Sequence, residues 1–219
     1  MSRQARGALA VAFLLAGCAG TAAPSATPGS STAAASTSPS EEASAESSSA
    51  AGGNALPTIS GPPERLEAGT YVTPAGFDPV MTVTVPDGWY GGALSSGFTV
   101  GQGLDEVNER YADGGIYLEV IPAPFDEAVA AFEDLAGLVQ EGEPEQAEID
   151  GQSTTTFFVH AEGDPVLLGD IAPGLDVIAD TGQVTFIDVQ ATTVLVRTEV
   201  FDEDVQPALE AVISSLTFP

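Results

Sequence analysis

The chain has no lysine, and it has one histidine, one cysteine and one tryptophan among its 219 residues. Each scarcity excludes a class of function. Five arginines stand against 32 aspartates and glutamates, a net charge of −27. A nucleic-acid partner is excluded, because phosphate neutralisation needs a basic surface that this composition does not supply. Electrostatic attachment to anionic lipid is excluded by the same deficit. One histidine and one cysteine are too few for a transition-metal site built on imidazole and thiolate. A lone cysteine forms no intramolecular disulfide, so stability has to come from a packed core.

Long apolar runs are also missing. The one apolar stretch, Ala8 to Ala16, follows Arg3 and Arg6 and is shorter than the roughly 20 residues that span a bilayer. It ends in Leu15-Ala16-Gly17-Cys18, and this n-region, h-region and small-residue sequence reads as an export signal. The tetrapeptide resembles the lipobox of bacterial lipoproteins. The resemblance implies cleavage between Gly17 and Cys18, diacylglycerol on the Cys18 sulfur and an acyl chain on the new amino group. Two or more chains make anchoring stable where one is marginal. Removal of Arg3 and Arg6 takes the net charge from −27 to −29. The expected location is the outer side of the cell membrane, held by lipid alone. The acidity keeps an exported protein soluble and leaves cations, basic polypeptides and neutral small molecules as partners.

Residues 18–63 are dominated by Ser, Ala, Thr, Pro and Gly, with Glu41, Glu42 and Glu46 the charges before residue 60. Such a segment buries too little apolar surface to offset its ordering entropy. It reads as a tether with an r.m.s. span on the order of 35–40 Å, and its Ser/Thr content suits O-glycosylation. Residues 64–219 have the length of one domain.

Periodicity in that domain is mostly that of strands. Val80 to Val85 alternates apolar and polar and closes at Pro86-Asp87-Gly88. Gly97–Val100 and Ile116–Ile121 follow, the latter stopped by Pro122 and Pro124. A helix is expected from Asp126, with Val129, Phe132, Leu135 or Ala136, and Val139 on its apolar stripe and Gly142 near its end. Ala147–Ile149 and Thr154–His160 flank Asp150-Gly151, a hairpin turn signal. Leu175–Ala179, Val184–Val189 and Thr193–Val200 read as three further strands, with a turn at Gln190-Ala191-Thr192 between the last two. Asp202, Glu203, Asp204 and Pro207 open a C-terminal helix whose stripe is Leu209, Val212, Ile213 and Leu216. Few helices between runs of strands define an α+β domain with a mainly antiparallel sheet.

Thr84 to Trp89 (TVPDGW), a helix after the third strand, the Ile149–Phe157 hairpin (IDGQSTTTF) and a terminal helix ending Ser214–Phe218 (SSLTF) resemble uncharacterised lipoproteins of high-GC Gram-positive bacteria with a PsbP-like α/β/α sandwich. The resemblance covers about residues 66–219. It implies an antiparallel sheet between helices and a binding or assembly role with no catalytic residue.

The residues agree with that absence. His160 lacks a Gly-x-Ser-x-Gly elbow, because Gly92 to Gly97 has the wrong spacing. Gly101-Gln102-Gly103 and Gly114-Gly115 open no helix and have no lysine beside them. Asp202-Glu203-Asp204 and Glu141, Glu143 and Glu145 lack the alternating spacing of a calcium loop. No cofactor or metal is expected. Trp89 and Tyr90 are the residues able to stack a ligand, against the alternative that Trp89 packs in the core. The sequence thus indicates a lipid-anchored binding or assembly module. A cell-envelope hydrolase and a structural surface protein without a small ligand are the competing readings. Replacing Cys18 with Ser should abolish incorporation of labelled fatty acid, and normal acyl labelling of that variant would contradict the anchor assignment.

Overall fold

In the computed structural model, residues 53–105, 110–169, 171–172, 177–178 and 181–219 are described. Cys18, Gly17, the signal segment and most of the tether lie outside them. Short strands β1 (Asn54–Ala55) and β2 (Glu64–Arg65) precede β3 (Gly69–Val72), β4 (Thr82–Val85), β5 (Tyr90–Ala93), β6 (Gly97–Gln102) and β7 (Gly114–Ile121). Helix α1 (Phe125–Glu133) leads to β8 (Leu138–Gln140), β9 (Glu145–Ile149) and β10 (Gln152–Ala161). After β11 (Val166–Leu167) and β12 (Val177–Ile178) come β13 (Thr181–Val189), β14 (Thr192–Val200), a 3-10 turn (Glu203–Val205) and α2 (Gln206–Ser214).

The main sheet runs β2-β5-β6-β7-β14-β13-β10-β8, with β9 also paired to β10, and its pairings are antiparallel. A smaller sheet, β1-β3-β4, lies apart from it, and β11 pairs with β12. The protein is therefore α+β with a mainly antiparallel sheet. Alternation along the long strands sends side chains into two cores. On the first face Phe98, Val100, Ile116, Leu118, Ile187, Val194 and Val196 pack with β4, Trp89 and α2. On the second, Phe157, Val184, Phe186 and Leu195 pack with α1 through Ala128 and Phe132. Phe132, Phe157 and Phe186 form a ring cluster with centroids 5.1 to 6.0 Å apart.

The Asp150-Gly151 hairpin is present: both residues have positive φ, 52° and 75°, and Ile149 pairs with Gln152. Such backbone twist suits a two-residue hairpin. The later turn is shorter than expected, since Val189 pairs with Thr192 and leaves Gln190-Ala191 as the loop. The C-terminal stripe is buried at Leu209, Val212, Ile213 and Leu216. Its start differs: Asp202 accepts from the Asp204 N–H at 3.0 Å and caps the 3-10 turn, and α2 begins at Gln206 with Pro207 in its first positions.

The first helix is shorter than its apolar spacing predicts. It ends at Glu133, Gly137 turns the chain at φ 89°, and Val139 joins β8 opposite His160. The unpaired edge of β10 takes those residues, a tertiary demand that helical periodicity does not record. Gly142, expected at the helix end, lies in the link to β9. Val80 is outside β4 and 44% exposed. Of the strand expected at 175–179, Val177–Ile178 is described.

The tether boundary also moves. Leu56 is 2% exposed in the first core, its N–H donates to the Val72 carbonyl at 3.0 Å, and the Ala93 N–H donates to the Pro57 carbonyl at 2.7 Å. Residues 54–59 thus belong to the folded unit.

Two consequences are measurable. Deleting residues 1–57 should lower Tm relative to deleting 1–52, because the first removes a buried leucine; equal melting would show that Leu56 contributes nothing. Val212→Asp and Leu216→Asp should each destabilise the protein by at least the ~2–5 kcal/mol typical of truncating a buried Leu or Ile. Glu210→Ala, on the exposed face, should change denaturant stability little.

Candidate functional site

The second face of β5, β6 and β7 is built on small residues. Register places Gly92 beside Thr99, Gly97 beside Glu119, and Gly101 beside Gly115. Two of these glycines accept an aromatic ring: a β-carbon at Gly101 or Gly115 would lie 2.4 or 2.1 Å from the ring of Tyr111. Tyr111 is buried there, and the Thr99 hydroxyl donates to its hydroxyl at 2.9 Å. Gly92 is covered by Ile59 in the same way.

One step toward β14 the same face carries charge. Tyr117 pairs in register with Arg197, whose guanidinium carbon lies 4.6 Å from the Tyr117 ring centroid. The Arg197 Nη2 forms an ion pair with Glu199 Oε1 at 3.3 Å. Tyr111 and Tyr117 are 5.7 Å apart between centroids. Arg110, bridged through its backbone to Asp105, places its guanidinium 5.4 Å from the ring of exposed Phe201. Burial raises the hydroxyl pKa of Tyr111 far above the ordinary tyrosine value. Burial does the same at Tyr117; the Glu199 charge adds to it, and Arg197 opposes. Both hydroxyls stay protonated at neutral pH.

Beside this network lies an open groove of 340 Å³ walled by Ile59, Leu94 to Gly97, Leu118 and Glu119. Glu119 is 3% exposed, and the Ser96 hydroxyl donates to its Oε1 at 3.0 Å. Gly97 admits no side chain: a β-carbon would fall 1.7 Å from the Leu118 carbonyl oxygen. The floor is consequently bare backbone next to a carboxylate. A second, more open hollow beside Leu135 and Val166 has Glu162 and Asp164 at its margin and presents an exposed Leu167.

The aromatic pair singled out in sequence does not form a surface. Trp89 is 3% exposed within the first core, so neither face of its indole can stack a ligand. Tyr90 is half-buried and pairs with Gly101 on the opposite face of the sheet. His160 lies at the end of β10, its Nδ1 3.0 Å from Glu141 Oε1, with both side chains well exposed. Asp202 is a turn cap, and Gly101 to Gly103 ends β6. Among the described residues, no group of three or more His, Cys, Asp or Glu is arranged to hold a metal ion, and no helix is long and apolar enough to cross a membrane.

Glu119, Ser96, Tyr117 and Arg197 were not singled out from the sequence. The available signal was charge inside two apolar strands, Glu119 in Ile116–Ile121 and the Arg197 and Glu199 pair in Val194–Val200. A charge in such a strand is carried into the interior, and buried charges need partners.

No protein-family model and no curated protein matches the chain. Among solved structures, the chain is similar to the solution structure of cyanobacterial PsbP (CyanoP) from Synechocystis sp. PCC 6803, at 13% identity and a TM-score of 0.36, over 64% of this chain and 86% of that one. The architecture described above rests on the strand pairings themselves.

The two tyrosines set an alkaline limit. Their folded pKa values lie above the unfolded value of about 10, so the stability they contribute is complete below that pH and falls as pH rises beyond it. Denaturant midpoints should drop above about pH 10, and Tyr117→Phe should lessen the drop. Full tyrosinate absorbance at 295 nm in the still-folded protein would contradict this.

Proposed function

We propose that this chain is a lipid-anchored, extracytoplasmic binding or assembly module that holds a ligand or partner without turning it over. The anchor rests on Leu15-Ala16-Gly17-Cys18 and on Cys18 being the sole thiol. The observation that carries the binding role is the groove beside Glu119. It combines apolar walls, a bare backbone floor and one oriented carboxylate. A few placed polar groups in an apolar concavity are what a binding site needs.

The competing hydrolase reading has one observation in its favour, the 3.0 Å contact between the Ser96 hydroxyl and Glu119. Activation of a serine alkoxide calls for a base with a pKa near the working pH and an oxyanion site. His160 belongs instead to an exposed pair with Glu141 at the far side of the sheet order. The serine and carboxylate are therefore assigned to ligand orientation.

The discriminating experiment is an esterase, peptidase, phosphatase and glycosidase screen of the purified mature chain, repeated with Ser96→Ala, Glu119→Gln and His160→Ala. No turnover above background is expected in any of them. Turnover that persists through purification and disappears in one variant would overturn the binding-module reading.

A further inference from the structure

We infer that residues 57–65 form a strap that opens as a unit: it lifts from β5 while Leu56 and Leu66 stay seated, and its opening joins the hollow above Gly92 to the groove beside Gly97. The use of the opened site rests on the binding-module reading; the closed and open forms of the strap do not. Both ends of the strap are pinned in the first core. Leu56 donates its N–H to the Val72 carbonyl at 3.0 Å, and Leu66 donates its N–H to the Trp89 carbonyl at 2.7 Å.

The stretch between the pins is held lightly. Pro57, Pro62 and Pro63, a third of its nine residues, have no N–H to give to a neighbouring strand. Thr58, Ser60, Gly61, Pro62, Glu64 and Arg65 are exposed. The backbone meets β5 at two separate points. At the first, the Ala93 N–H donates to the Pro57 carbonyl at 2.7 Å and the Ile59 N–H donates to the Ala93 carbonyl at 3.0 Å. At the second, Glu64 and Arg65 of β2 pair with Gly91 and Tyr90. The first contact is parallel and the second antiparallel, so the chain doubles back between them and builds no continuous ladder. Few buried apolar contacts and exposed backbone hydrogen bonds mark a segment that opens well below the free energy of global unfolding. Because both ends are fixed, the opening is a bulge between two pins and not a fraying terminus.

Ile59 gives the opening its consequence. It is half-buried, and its Cγ2 and the Pro57 carbonyl oxygen lie 2.6 and 2.8 Å from where a β-carbon on Gly92 would be. Ile59 is also a wall of the 340 Å³ groove that Leu94 to Gly97 border. One side chain therefore fills the Gly92 hollow and bounds the groove next to it, and lifting that side chain makes the two continuous. Leu66 lies over the neighbouring Gly91, 3.0 Å from a β-carbon there, and as a pin it keeps that part of β5 covered.

The test is hydrogen exchange of individual amides in the full mature chain, read by NMR in native buffer and in low urea. The Ile59 and Ala93 amides should be protected at least about 100-fold less than those of Leu56 and Leu66, with a shallow urea dependence because little surface is exposed by opening. Gly92→Ala gives the sharper readout. The three atoms nearest to its new β-carbon all belong to Ile59 and Pro57, and Gly92 lies outside the left-handed backbone region, so the substitution pushes on the strap. Ile59 and Ala93 should then lose their protection, while Leu56, Leu66 and the β7–β14 ladder keep theirs.

Ile59→Ala, which removes the plug and leaves the floor intact, should speed exchange at Ala93 about tenfold without changing Leu56 or Leu66. This variant decides the matter if Gly92→Ala fails to fold. Equal protection of strap and pins, strap amides that exchange only together with β14, or unchanged Ala93 protection in both variants would overturn the inference. No ligand enters these measurements, so their outcome is separate from that of the turnover screen.

Discussion

Strand β14 is hydrogen-bonded along both edges and buried on both faces from Thr193 to Thr198, and the remaining architecture is arranged around that constraint. Its even-numbered side chains, Val194 and Val196, enter the core under α2, while Leu195 enters the core under α1. A strand in that position keeps its polar groups from bulk water, so partners have to come from within; the buried Thr198 hydroxyl has no hydrogen-bond partner among the described residues. The Thr193 hydroxyl donates to the Ala123 carbonyl at 2.8 Å, tying the strand to the entry of α1. Arg197 is the costly member. Its burial is offset by Glu199 and by the face of Tyr117, its register partner on β7.

The second face of the sheet divides into two halves. Over β13 and β10 the second face is apolar and covered by α1. Over β5 to β7 it is lined by Gly92, Gly97, Gly101 and Gly115, which leave depth above the backbone. Tyr111 and Ile59 fill part of that depth by direct contact with glycine. The part left open is the groove at Glu119. Glycine is a poor strand residue by intrinsic preference. Here it is required by close approach along Tyr90–Ala93.

The C-terminus closes the molecule by a similar economy of contacts. Thr82 and Thr217 exchange both backbone hydrogen bonds at 3.1 Å, and the Phe218 N–H donates to Asp150 Oδ2 at 2.8 Å. The Asp150-Gly151 hairpin and the Ser214–Phe218 ending, separate motifs in the sequence, thus meet in space. Asp150 serves both as a turn residue and as an anchor for the last strand-like residues.

What the sequence by itself determined follows from local rules. The antiparallel α+β class, the Asp150-Gly151 hairpin and the buried stripe of α2 depend on side-chain period and turn chemistry, which operate over a few residues. Charge and composition likewise set the expectation about nucleic acid without reference to any coordinate. Tertiary structure alone decided where β8 replaced the last turn of the predicted helix, because the open edge of β10 competes for those backbone groups. It also placed Trp89 in the core and Tyr90 on the opposite face. The groove was illegible for the same reason. Ser96 and Glu119 are 23 residues apart, and only the register of β6 against β7, with glycine at position 97, brings hydroxyl, carboxylate and bare backbone to one place.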